Sequence, residues 1–377
     1  MSKIEACEVC GVPRMVSEGH RWEASGVISL VMSPRSRMVF YESENIDDLF
    51  EGVERLVGIP IEHIIIESRR RETRRYMEKI YEDGLRNASE ETRKGVREGE
   101  LGDSPEQRRI LEMARELNLS INNIGRIYGY GDISLGQRWD KGEAYPWRSQ
   151  AIRNPYSLPL YAADMLGSVE AVEQRDLWVE WQEIGEKTYL ITASPGSHPI
   201  ELEERLRRQK YDFKPGDIQY ERCPECGLPD EVSRCNWDLE GGTIIDPENG
   251  RRMSLFGPGS LDAILGDLEA ELGEDLPEAV IAAQRRYITE SMRDFDWKLD
   301  APSFRRMIAA RGLGNLASFN GDRNTLSVRI ENACLHLLMV GTTQAMVEMV
   351  YGSEDSTYEW NLAPDGDLDI TIKVLRG

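Results

Sequence analysis

Cys7-Glu-Val-Cys10-Gly-Val-Pro13 returns later in the chain as Cys223-Pro-Glu-Cys226-Gly-Leu-Pro229. The likeness continues at a nearly fixed offset: His20, Trp22, Glu23 and Gly26 match Cys235, Trp237, Asp238 and Gly241. Arg37-Met38 then matches Arg252-Met253, and Asp47, Gly58 and Met77 match Asp262, Gly273 and Met292. After a change of length, Gly129-Tyr-Gly131 matches Gly312-Leu-Gly314, Asn154 matches Asn332, and Glu180-Trp181 matches Glu359-Trp360. Collinear matches of this kind are expected of an internal duplication, so one architecture has to suit both segments. The division along the chain is a first module at 1–193, a linker at 194–222 and a second module at 223–377. Within the first, a zinc-knuckle-like head (1–40) precedes a helical part (41–125) and an α+β, ligand-binding-like part (126–193). In the second, the head is 223–255 and the α+β part 256–377.

A chain of 377 residues, 40% hydrophobic and 30% charged, has enough apolar material for two or three cored domains. No window reaches the ~20 apolar residues of a membrane span, and no apolar signal segment opens the chain, so a cytoplasmic location is expected, without membrane association. A net charge of −21 opposes binding to nucleic acid, which needs clustered Lys and Arg. The exception, Arg69-Arg70-Arg71 with Arg74 and Arg75, lies among Glu67, Glu72 and Glu78 and is expected to be a solvated, salt-bridged helix face.

Within each head the cysteine pair is followed by short extended runs, 26–32 in the first segment and 242–245 in the second, the latter closed by the turn Asp246-Pro-Glu-Asn-Gly250. Ile46, Leu49, Phe50, Val53 and Leu56 then recur with helical period, as do Leu261, Ile264, Leu265 and Leu268, and Gly58 and Gly273 stand where a helix would end. Second helices are expected from Pro60 and Pro277 to about Met77 and Met292. The first segment carries an insertion with a polar stretch, 87–103, and a helix capped by Ser104-Pro-Glu-Gln107. Strands 132–135 and one ending at Asn154, a helix over 158–174, and strands near 178–181 and 189–192 complete it. The second segment closes on a strand at 368–374 after a helix over 335–350. A connecting helix is expected over 197–209. The order implies α+β modules with helices packed on an antiparallel sheet.

Gly-x-Gly, then a strand ending Arg153-Asn-Pro-Tyr156, then a helix carrying Ala163-Asp-Met-Leu-Gly167, resembles the 4-vinyl reductase domain. That family is similar to the heme-NO-binding and vesicle-tethering folds, and in aromatic-responsive regulators it encloses a hydrocarbon-binding cavity. The resemblance covers about 104–193 and 301–374 and implies a homodimer. Family members often end in a zinc-holding Cys-x-x-x-Gly-x-x-x-Cys segment; neither 178–193 nor 358–374 contains cysteine.

Five of the six cysteines lie in the matched heads, and in a reducing compartment such pairs favour a metal over disulfides. Thiolates and imidazole suit zinc, and the glycine after each pair permits a turn that aims both sulfurs at one ion. Two schemes follow. In one, each segment holds its own ion with Cys7, Cys10, His20 and Glu23, or with Cys223, Cys226, Cys235 and Asp238. In the other, Cys7, Cys10, Cys223 and Cys226 share one ion. The ligand-competent third residue in both segments favours separate sites, with a structural rather than a catalytic role.

Tyr128, Tyr130, Trp139, Tyr145, Trp147, Tyr156 and Tyr161 crowd the first α+β part, whereas Phe319 is the one aromatic between Gly312 and Asn332. A shared fold would need a shared core, so these aromatics are candidates for a ligand pocket. Arg126, Arg138, Arg148 and Arg153 are available to an anionic group. The expected protein is a sensor or carrier of a small aromatic or hydrophobic molecule with structural zinc. The alternative is a metal-dependent enzyme with an open zinc at Cys7, Cys10 and His20 and Glu23 as general base. His198, at a helix-entry turn, and His63 and His336, within apolar runs, fit structural roles, and Cys334 fits a buried hydrophobe. Gly129-x-Gly131 and Gly312-x-Gly314 lack the third glycine of a dinucleotide loop.

Overall fold

The computed structural model describes residues 4–84, 86, 88–99, 104–202, 212–291, 293, 299–322, 324–353 and 355–375. Most of the expected connecting helix, part of the polar insertion and Met292 lie outside them. Among the described residues the chain is α+β, with twelve α-helices and three antiparallel sheets. None of the helices is long and apolar enough to cross a membrane. The chain forms two compact units, neither continuous in sequence. Unit 1 gathers 1–60, 206–237 and 244–377, and unit 2 gathers 61–205 and 238–243. Contacts thus group the first cysteine head with the second segment, a different partition from the sequence modules.

Unit 1 is organised on strand Ser33–Glu42, which continues the hairpin of His20–Trp22 and Ile28–Leu30 and pairs with Arg252–Phe256. Phe40 stands opposite Leu255, its own sequence counterpart. Helix Glu44–Val57 follows, burying Ile46, Leu49, Phe50 and Val53 and ending at Gly58 with φ 77°. It packs on helix Leu276–Ser291, where a Cβ on Gly52 would lie 2.8 Å from that of Ala283. Strands Asn315–Gly321, Thr325–Glu331, Leu368–Val374 and Ser356–Leu362 form a sheet in that order, with helix His336–Tyr351 against it. The first 60 residues are bonded onto this body: Trp22 Nε1 donates to Ala310 O (2.9 Å), Phe40 N to Arg311 O (3.1 Å) and Arg37 Nη2 to Gly312 O (2.6 Å).

Unit 2 repeats the sheet order with Asp132–Leu135, Ser149–Arg153, Thr188–Pro195 and Leu177–Gly185. Helices Glu62–Gly84 and Leu158–Glu173 cross closely, a Cβ on Gly167 falling 2.4 Å from Arg70 O. Arg69 pairs with Asp164, Arg70 with Glu67 and Glu170, and Arg74 with Asp176. The arginine run is salt-bridged, but Arg70 is buried rather than solvated because its carboxylate partners lie on the packed face. Helix Pro105–Ile127 begins at the expected cap, Ser104 Oγ accepting from Gln107 N. The polar insertion holds a helix, Glu90–Glu98, that its composition does not announce.

The same close approach occurs once in each unit. In unit 1, Gly314 N donates to Gly26 O (3.1 Å); in unit 2, Gly131 N donates to Gly242 O (2.9 Å). Gly242, rather than its matched neighbour Gly241, takes the left-handed conformation seen at Gly26. A Cβ on Gly26 would lie 2.0 Å from Gly314 O, whereas one on Gly58, also at positive φ, would meet nothing within 4 Å. Gly58→Ala should therefore cost only the conformational penalty of about 1 kcal/mol. Gly26→Ala should cost several times more, as compared by urea denaturation of the two variants.

Candidate metal centre

Both cysteine turns are built alike. Cys7 N donates to Val12 O (2.8 Å) and Gly11 N to Cys7 O (2.9 Å); Cys223 N donates to Leu228 O (2.9 Å) and Gly227 N to Cys223 O (3.0 Å). Gly11 and Gly227 sit at φ 75° and 74°, and the prolines close each turn through bridges Ala6–Pro13 and Arg222–Pro229. The left-handed glycine reverses the chain tightly enough for both cysteines of a pair to face one side. Because Ser33–Glu42 and Arg252–Phe256 pair about Phe40 and Leu255, the two turns meet within unit 1.

There, Cys7 Sγ lies 3.8 Å from Cys223 Sγ, and Cys10 Sγ 3.5 Å from Cys226 Sγ. All four sulfurs fall within 4.8 Å of one another. The cysteines are free thiols. Four sulfurs bonded at about 2.3 Å to a tetrahedral ion stand about 3.8 Å apart, while a disulfide needs about 2.05 Å. The group can hold a metal ion as it stands. Burial pushes the Cys10 and Cys226 thiols up, and the backbone N–H groups of Cys226 and Glu225 draw Cys223 down to about 7. Four thiolates this close repel one another unless a cation lies between them.

The third ligands expected for two separate ions stand outside this group. His20 is buried, its ring Nδ1 3.1 Å from Val16 O, and burial lowers its basicity. Cys235 Sγ donates to Glu231 O (3.3 Å), with its thiol pushed up to about 12 by burial. Both side chains thus serve the carbonyl four residues back, at the end of the short helical turn after each cysteine pair. Glu23 accepts from Ser29 Oγ (2.9 Å), and Asp238 closes its own turn by accepting from Gly241 N (2.9 Å). The geometry is that of the shared scheme.

Two unforeseen residues surround the sulfurs. Glu225 Oε2 accepts from Cys7 Sγ (3.2 Å) and Val9 N (3.1 Å), while Oε1 accepts from Arg14 Nη2 (2.7 Å). The Cys7 bond leads the forces that hold the Glu225 carboxyl below its ordinary range. Their counterparts in sequence are Val9 and Asp230, so the repeat pattern does not mark them.

In unit 2 the aromatic candidates engage one another. Tyr130 stacks on Tyr156 at 4.3 Å and meets Tyr128 edge-on, and Trp147 meets both Trp139 and Tyr145 edge-on. Trp147 Nε1 donates to Glu173 (3.1 Å), and Arg148 forks onto the same carboxylate at 2.6 and 2.7 Å with its guanidinium over the Tyr145 ring. Arg148 is thus committed to a buried partner, and Arg153 is paired with Asp132. None of the seven candidate aromatics or four candidate arginines lines either of two clefts. One, of about 1090 Å³ in unit 1, includes Met253, Met307, Phe319 and Met346; the other, of about 260 Å³ in unit 2, includes His63, Trp181 and His198. His198 is more than a turn residue: Nε2 lies 2.9 Å from Glu170 Oε1 and Nδ1 3.6 Å from Glu67. His336 packs on Trp360 with its basicity lowered to about 4 by burial, and burial raises the Cys334 thiol to about 12.

Comparison of the chain with protein-family models, with curated proteins and with solved structures finds no match in any of the three.

Elemental analysis of purified variants should show metal content unchanged in His20→Ala and lost in Cys226→Ser. Glu225→Gln should retain metal with affinity weaker by about 10-fold, the usual scale for a group behind the ligands, as measured by competition with a chelator.

Proposed function

We propose that Cys7, Cys10, Cys223 and Cys226 hold one zinc ion that staples the two heads of a duplicated chain. The observation that carries this is the pairing of each sulfur with its own sequence counterpart at spacings that a tetrahedral ion requires. Four thiolates complete the coordination and leave no position for water or substrate, which favours a structural over a catalytic metal. The zinc-knuckle reading rests on the two identical turns, and the duplication on the collinear matches together with the common sheet order.

Around this staple the chain acts as a cytoplasmic, homodimeric sensor or carrier of a small aromatic or hydrophobic molecule, built from two modules similar to the 4-vinyl reductase domain. The first α+β segment is the ligand-binding one, supported by aromatics that its counterpart lacks. Native mass spectrometry tests the whole proposal: one zinc per chain, a dimer mass and a retained small molecule are expected. Two zinc ions per chain, or none, would refute the staple, and a bare monomer would refute the carrier. Zinc should also leave as pH falls. Metal binding holds the ligand thiols' pKa below the unfolded value, so the stability it adds is present at high pH and lost on acidification, as followed by thermal unfolding from pH 8 to 5.

A further inference from the structure

Helix Pro105–Ile127 in unit 2 turns Asn118, Asn122 and Arg126, successive residues at i, i+4 and i+8, into the protein, with exposures of 8%, 2% and 9%. Opposite stands Gln150 on strand Ser149–Arg153. Its Nε2 reaches Asn118 Oδ1 and Asn122 Oδ1 only at 3.4 Å each, and its Oε1 accepts from Tyr161 Oη at 2.6 Å. Asn122 Nδ2 and Arg126 Nε are buried with no acceptor among the described residues. Arg126 Nη2 is spent on Asp132 Oδ1 (2.8 Å) and Ile133 O (2.5 Å), and Arg126 lies within electrostatic reach of Tyr161.

The fold does not require this polarity. Gln150 pairs with Ile191 in its sheet, and in the other sheet the residue in that register, paired with Ile370, is Val328. Gly129 N donates to Arg126 O just as Gly312 N donates to Ala309 O, which places Ala309 in the position of Arg126. Tyr161 and Met339 stand at equal distances beyond Asn154 and Asn332, at φ 51° and 53°. Val328, Ala309 and Met339 are buried and apolar. The counterpart of Asn122, Arg305, is paired with Asn315 and Asp217. A core position that accepts an apolar residue gains nothing from an unpaired buried donor, since such a group forfeits its bonds to water.

The groups left unmatched are donors, so their missing partner is an acceptor. Asp132 serves two guanidiniums, those of Arg126 and Arg153, which leaves a positive excess. We infer that Asn122, Arg126 and Gln150 form a binding site for the carboxylate of a small organic acid, with the acid's apolar body among the neighbouring aromatics. This rests on the small-molecule reading above and names its ligand class.

The test uses the zinc-loaded full chain, with benzoate and hexanoate as acids and benzyl alcohol and hexanol as uncharged matches. Each acid at millimolar concentration should raise Tm by several degrees, and neither alcohol should. In Asn122→Leu the ligand-free Tm should rise, because an unpaired donor is gone, while the response to acid is lost; Arg126→Ala should lose it too. If Arg126→Ala does not fold, Asn122→Leu alone decides. Absence of any acid response in the wild-type chain overturns the proposal, including the case in which Asn122→Leu is stabilised and the cluster holds only water. A response that survives Asn122→Leu also overturns it, since the acid then binds elsewhere. Zinc content measured in the same samples should stay at one per chain, which separates failure of this site from failure of the staple.

Discussion

The antiparallel pairing of Ser33–Glu42 with Arg252–Phe256 is the constraint from which unit 1 follows. It joins segments more than 200 residues apart in sequence and does so about a centre, so that Phe40 meets Leu255 and, farther along, Cys7 meets Cys223. Closing so long a loop costs only a few kcal/mol more than closing a short one, because the entropy grows with the logarithm of length. What the pairing needs is specificity. That comes from a register with Phe40 and Leu255 buried on one side, and from Trp22, Arg37 and Phe40 binding carbonyls on the body of the second segment. A metal at the four cysteines would add a cross-link between the two heads beyond the strand pairing.

The two α+β sheets share a strand order and differ in what fills them. At three interior positions unit 1 carries Val328, Met339 and Ala309, where unit 2 carries Gln150, Tyr161 and Arg126; unit 2 also has a buried ion pair between Arg148 and Glu173. Buried pairs of that kind contribute little net stability when compared with apolar packing.

Local structure was legible in the sequence wherever one short stretch decided it. The apolar period of Ile46 to Val53, the left-handed Gly58, the Ser104 cap and the alternation of 368–374 all reappear as elements with the expected bounds to within a few residues. The ligand set was less legible, because it depends on a contact between distant segments. Matching His20 with Cys235 points to a third ligand in each head; in the structure each side chain lies instead against the carbonyl four residues back. Glu225 and Arg14 were hidden because they break the repeat. Asn118, Asn122 and Gln150 carry no local signal, because a helix face and a strand register are what bring them together.

The interrupted course of unit 1 has a consequence in time. At about 5–20 residues per second, roughly 10–40 s separate the emergence of Ser33–Glu42 from that of its partner strand. Through that interval the edge that will receive Arg252–Phe256 is open, a template for pairing with another nascent chain. The strand begins Ser33-Pro-Arg-Ser-Arg37, where proline and two arginines resist such pairing at one end. Synthesis in the cell therefore asks this protein to hold its first hairpin in reserve until two-thirds of the chain has been made.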